Sequence, residues 1–245
     1  QDLLIKVTVE NRSKVAAPIT VLPTIWFRNT WCWGYDNYKH KPILTGIGNS
    51  LIEVNHRLVG RYKLYAENAD EFLFCDNETN FERLYDSPNL TNYTKDGIND
   101  YIINKRKDAL NPSRIGTKAA VRSDDAIPAT ARRVYRMRCS NQTPSEPFKD
   151  FDTLFEKRII EADEFYATLQ KGIEEENLKS VQRQAYAGML WTKQWYYYNV
   201  FEWIKGDPSM PKPDGNRKNG RNSTWKHLYT SNILSMPDKW EYPWF

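Results

Sequence analysis

The chain has 245 residues, 40% of them hydrophobic and 27% charged, with a formal net charge of +4. That length admits one large domain, or one domain and part of a second. The interspersed charges exclude a disordered composition, and no apolar run approaches the roughly 20 residues of a membrane-spanning helix, so no membrane partner is expected.

Residues 4–10 alternate and are rich in β-branched side chains, which predicts a strand. Asn11-Arg12-Ser13 is a turn, and residues 17–27 read as the returning strand, with Pro18 and Pro23 marking an edge or an interruption. Residues 28–50 read as loop. Further strands are predicted over 51–54, 61–66 and 71–75, the last two joined by a turn at 67–70. Residues 76–115 are polar and irregular, with a short strand or helix near Tyr101. Residues 116–122 and 130–139 form a strand pair. This half predicts an antiparallel β-sandwich over residues 1–144.

The pattern changes near Pro144. Phe151, Phe155, Ile159, Ala162, Tyr166 and Leu169 recur at helical spacing, and Thr153 with Glu156 fits a capping box. A linker helix is therefore predicted within 145–177. A second helix is predicted over 178–205, ended by Gly206-Asp207-Pro208. Trp191, Gln194 and Tyr197 would then share one broad face of it. Residues 211–222 are a long loop, residues 225–233 a helical turn, and residues 236–245 an aromatic loop.

Aromatic residues make up 14% of the chain, and six of its nine tryptophans lie between Trp191 and Trp244. Such side chains bury large areas or offer flat stacking surfaces. Cys32, Cys75 and Cys139 lack the spacing of a zinc site, so no metal is expected. Their odd number fits a reducing compartment. Gln1-Asp2-Leu3-Leu4-Ile5-Lys6 shows no signal-peptide pattern, and a cytoplasmic location is expected. Lys and Arg are spread out, the densest stretch, Lys105-Arg106-Lys107, being followed at once by Asp108; no nucleic-acid partner is expected. Neither a Gly-x-Gly-x-x-Gly nor a P-loop is found, so no nucleotide cofactor is implied. No Gly-x-Ser-x-Gly elbow accompanies the histidines His40, His56 and His227. Asn-x-Ser/Thr acceptor sequences begin at Asn11, Asn77, Asn89, Asn92, Asn141 and Asn222.

Several blocks are more specific. They are Gly188-Met189-Leu190-Trp191-Thr192-Lys193-Gln194-Trp195-Tyr196-Tyr197-Tyr198, then Trp203 with Gly206-Asp207-Pro208, then Ser235-Met236-Pro237-Asp238-Lys239-Trp240-Glu241-Tyr242-Pro243-Trp244-Phe245. In the first half they are residues 22–31, Asn77-Glu78-Thr79-Asn80 and Lys95-Asp96-Gly97-Ile98-Asn99-Asp100-Tyr101. Together the chain resembles the glycoside hydrolase family 63 proteins, in their microbial glucosidase-like branch. The resemblance implies an N-terminal β-sandwich, linker helices and an (α/α)6 barrel of which residues 178–245 would be the opening. It also implies inverting hydrolysis of α-glucosidic bonds in gluco-oligosaccharides or a glucosyl conjugate.

An inverting glycosidase needs two carboxyl groups roughly 6.5–9.5 Å apart, an acid for the leaving oxygen and a base for a water. The resemblance places the acid, an Asp after a Trp, just beyond Phe245, and the base much further on. The chain is thus expected to be a piece of a longer enzyme, inactive alone, whose partner is the remainder of its own barrel. Asp238 and Glu241 are expected to hydrogen-bond sugar hydroxyls or hold their loop, with Lys239 able to pair with either. Trp240, Tyr242 and Trp244 are candidates for stacking on a sugar ring or for packing the barrel entrance. Gln194 could exchange hydrogen bonds with hydroxyls, beside Trp191 and Tyr197. Trp31, Trp33 and Tyr35 form an aromatic run that could narrow the cleft. The rival reading, should the chain end at Phe245, is a non-catalytic carbohydrate-binding or scaffold protein.

Overall fold

A computed structural model describes residues 2–48 and 51–235. The chain falls into two compact units, one of Gln1–Trp31 with Asn37–Phe155 and one of Cys32–Asp36 with Glu156–Phe245. The strands of the first unit, in chain order, are β1 (Asp2–Glu10), β2 (Ala17–Val21), β3 (Thr24–Trp26), β4 (Ile43–Ile47), β5 (Leu51–His56), β6 (Gly60–Ala66), β7 (Glu71–Cys75), β8 (Ile115–Gly116), β9 (Lys118–Ile127) and β10 (Arg132–Ser140). They build two antiparallel sheets, one ordered β1-β10-β6-β5-β4-β8, the other centred on β9 with β2, β3 and β7.

The two sheets share one core. Leu44, Ile52, Val54, Leu64 and Met137 come from the larger sheet, and Phe72, Phe74, Ala119 and Val121 from the smaller. Residues that alternate in sequence alternate between this core and the outer face, the arrangement of a sandwich. β7 is different, because both of its faces are buried. Phe72 and Phe74 enter the shared core, while Leu73 and Cys75 join Ile98 and Ala120 on the far side. Ile98 lies on α2 (Gly97–Asn104), preceded by the short α1 (Phe81–Tyr85). The irregular stretch expected to hold a short element near Tyr101 thus supplies a helix that covers the smaller sheet.

The long strand expected over 17–27 is two. Pro23 sits between β2 and β3, and its carbonyl accepts a hydrogen bond from Val121 N at 2.9 Å. Both pieces pair with β9 in succession, Val21 opposite Ser123 and Thr24 opposite Ala120. At Gly116 the chain passes so close to β7 that a Cβ would lie 2.2 Å from the Cys75 carbonyl oxygen. No larger residue fits there.

α3 (Phe151–Leu169) is tied to the larger sheet at its start. Phe151 is fully buried, and Asp152 takes hydrogen bonds from Lys6 at 2.9 Å and Arg136 at 2.8 Å. Arg138, 7% exposed, binds both Asp2 and Asp150. A guanidinium this buried needs such paired partners. Because α3 already begins at Phe151, Thr153 stands inside its first turn and cannot be the cap expected from the Thr153/Glu156 spacing.

The second unit corrects the predicted helix over 178–205. α4 (Glu176–Trp191) ends at Thr192; a strand β11 (Lys193–Asn199) follows, then a short α5 (Val200–Lys205). The helical turn expected over 225–233 is instead occupied largely by β12 (Tyr229–Ser235), which pairs antiparallel with β11. The reason is local. Trp195-Tyr196-Tyr197-Tyr198 is a run of strand-favouring aromatics, and β12 supplies the ladder that an isolated strand lacks. Trp191, Gln194 and Tyr197 therefore do not share a helix face. Trp191 closes α4, and Gln194 and Tyr197 point to opposite sides of the ribbon.

Phe74 is 1% exposed at the centre of the shared core. Phe74→Ala should cost about 3–5 kcal/mol, read as a lowered urea midpoint; an unchanged midpoint would show that the two sheets do not pack through it.

Candidate functional site

The β11–β12 ribbon of the second unit carries an aromatic face. Trp195 and Tyr197 on β11 lie opposite Ile233 and Ser231 on β12, with Tyr229 opposite Asn199. The Trp195 and Tyr197 rings are 5.4 Å apart, and Tyr229 meets Tyr197 edge-on at 5.6 Å. Trp195 Nε1 donates diagonally to Ser231 Oγ at 3.2 Å. Trp195 is 52% and Tyr229 60% exposed.

A carboxylate borders this face. The Tyr197 hydroxyl donates to Glu202 Oε2 at 3.0 Å. Glu202 is placed by the start of α5, where the Asn199 side chain accepts from the Glu202 amide at 3.3 Å as an N-cap. Burial and that hydrogen bond together push the Tyr197 hydroxyl well above the usual tyrosine range.

α5 ends at Gly206, whose φ of +81° suits glycine. Asp207 follows and accepts from the Tyr35 hydroxyl at 3.0 Å. Ser209 N donates to the Trp33 carbonyl at 3.1 Å. Gly34, at φ +84°, lies where a Cβ would sit 2.1 Å from Ser209 Oγ. The aromatic run is thus partly absorbed into the second unit through residues 32–36. Asp207, expected to be only a turn residue, also holds Tyr35. Burial, the bond to Asp207 and the charges of Asp207 and Glu202 push the Tyr35 hydroxyl up to about 12.

In the first unit the early motif blocks meet at Glu78, which is 2% exposed. Its carboxylate accepts from Trp31 Nε1 at 2.6 Å and Asn29 Nδ2 at 2.9 Å, and pairs with Lys41 Nζ at 3.1 Å. Lys95 N donates to the Glu78 carbonyl at 2.9 Å. Next to it Asp96 is bonded by Thr94, Asn80 and Arg83. Burial pushes the Asp96 carboxyl up, but these hydrogen bonds and the Arg83 charge outweigh it and hold it below the usual range. Each Glu78 oxygen has a donor, which suits an anchor for residues 29–31. Burial pushes the Cys75 thiol up to about 12, so it stays protonated and is no nucleophile.

Of the substrate-binding candidates, Trp191 is 83% exposed at the end of α4, Gln194 is half-buried on β11, and Tyr197 lies in the aromatic face. Asp238, Lys239, Trp240, Glu241, Tyr242 and Trp244 lie outside the described residues. Trp195, Tyr229 and Glu202 were not singled out from the sequence. The signal was the period of two in Lys193–Asn199, hidden by its aromatic run. Among the described residues no group of three His, Cys, Asp or Glu could hold a metal ion.

No family model matches the chain. It is 36% identical over 281 aligned residues to the uncharacterized protein YMR196W of Saccharomyces cerevisiae. The match takes in the whole of this chain and 26% of that relative, so the chain spans about a quarter of the curated relative's length.

The raised Tyr35 pKa has a definite sign. Its contribution to stability is complete below about pH 10, the unfolded value, and is lost as pH rises through about 12. Ultraviolet titration should show that the tyrosine missing in Tyr35→Phe is one that ionises near pH 12 in the parent; a loss from the transition near pH 10 would show that burial and the Asp207 bond do not hold this hydroxyl.

Proposed function

We propose that the chain is part of an inverting α-glucosidase-type glycoside hydrolase acting on gluco-oligosaccharides or a glucosyl conjugate. Its β-sandwich would lead through α3 into the opening of an (α/α)6 barrel, completed by further sequence. The observation that carries this is the set of motif blocks, densest from Gly188 to Phe245, that resemble glycoside hydrolase family 63. The match to only 26% of its yeast relative is compatible with a role inside a longer protein.

The chemistry of the described residues supports a sugar ligand. Pyranose rings present apolar C–H faces that stack on exposed aromatics, and hydroxyls that bond carboxylates and amides. Trp195, Tyr197 and Tyr229 on the ribbon, with Glu202 on α5, offer both. The block from Asp238 to Trp244 would add further hydroxyl and ring contacts. The two catalytic carboxyl groups would lie elsewhere in the longer polypeptide. One protonates the departing oxygen while the other draws a proton from water, and attack on the opposite face inverts the anomeric centre.

The test uses the full-length protein with α-linked gluco-oligosaccharides, following the nascent sugar by proton NMR. Release of β-glucose is expected. The α-anomer as first product refutes inversion, and no glucose release across α-linked substrates refutes the class. The 245-residue chain alone should release none.

A further inference from the structure

We propose that Asn11 is a structural staple rather than a glycan acceptor, and that the chain reaches its fold only where Asn11 and Asn77 escape glycosylation, which places its folding on the cytosolic side. Six such sequences occur, and the structure treats them differently. Asn11, at 9% exposure, lies between the end of β1 and the turn joining β9 to β10. Its Nδ2 donates to three carbonyls, those of Val15 at 2.8 Å, Ile127 at 2.8 Å and Pro128 at 3.1 Å. Its Oδ1 accepts from Ser13 N at 2.9 Å, and its own N–H donates to the Ala131 carbonyl at 2.9 Å.

An amide nitrogen has two hydrogens, and here both are spent inside the protein. A glycan replaces one of them and puts a bulky polar group in its direction. Asn11 could accept a glycan only by surrendering at least one of these carbonyls and opening the closure of β1 against the β9–β10 turn. Buried carbonyls left without donors make that costly. Asn77 is a second, milder case. Its Nδ2 donates to the Phe27 carbonyl at 2.8 Å, and it precedes the buried Glu78. Asn92 is exposed and could carry a glycan without such loss. Glycan transfer acts on the chain before folding hides Asn11, so burial gives no protection on the secretory route.

The experiment compares the full-length protein made in the yeast cytosol with the same protein sent through the secretory route by an added leader. The secretory form should carry a glycan at Asn11 and lose the protease resistance of the cytosolic form. The double variant Ser13→Ala/Thr79→Ala removes both acceptor sequences but keeps both amides. It should match the cytosolic protein in the cytosol and recover protease resistance on the secretory route. Protein with a glycan at Asn11 and full protease resistance overturns the proposal, as does a double variant that stays sensitive only on that route. So does a glycan on Asn11 or Asn77 in protein isolated from its own cells.

Discussion

The first unit depends on a strand with no solvent face. β7 is buried on one side by the sandwich core and on the other by α2. A strand held on both faces cannot slip by one residue without driving apolar side chains against the wrong layer. Its end is therefore fixed, and Asp76, Asn77 and Glu78 follow at once. That is what allows a carboxylate as buried as Glu78 to exist. Its donors from Trp31, Asn29 and Lys41 come from a single stretch of chain, brought to a position that β7 defines. Without them the ionised group would carry an uncompensated desolvation penalty.

The positions of most strands were legible because their chemistry is local, but not their pairing: β9 and β10, expected to pair, lie in different sheets, and β4 falls in a stretch expected to be loop. β1 from Ile5 onward and β5 alternate in burial, and the turn at residues 67–70 separates β6 from β7 as expected. Pro23 could be read as an interruption, because a proline cannot donate to a ladder. What was not legible depends on distant partners. The residues of β11 satisfy a helical spacing of aromatics and a strand alternation equally well. The choice falls to β12, thirty residues later in the chain, whose own pattern is weak. The capping spacing at Thr153 misled for a similar reason: the start of α3 is set by the burial of Phe151 and the ion pairs of Asp150 and Asp152.

The aromatic excess now has several distinct uses. Trp31 is consumed as a donor to a buried anion, and Tyr35 as a donor to Asp207. Trp203 lies under the Arg217 guanidinium, 4.0 Å away. Trp195 and Tyr229 remain more than half exposed. Composition alone could not separate these roles, since each uses a different part of the same side chain: the N–H or O–H in two cases, the π-face in the others. These exposed rings sit on a ribbon whose sequence period is two.

The break at Pro23 has a consequence for how molecules meet each other. β2 ends the order of its sheet, a position where unpaired backbone groups invite a neighbouring chain to extend the ladder. It is five residues long, carries Pro18 within it and stops just before Pro23. A second molecule laid along it would find one donor missing and the run cut short. The interruption that splits one long strand into two also keeps this margin of the sandwich from becoming a template for fibrous aggregation.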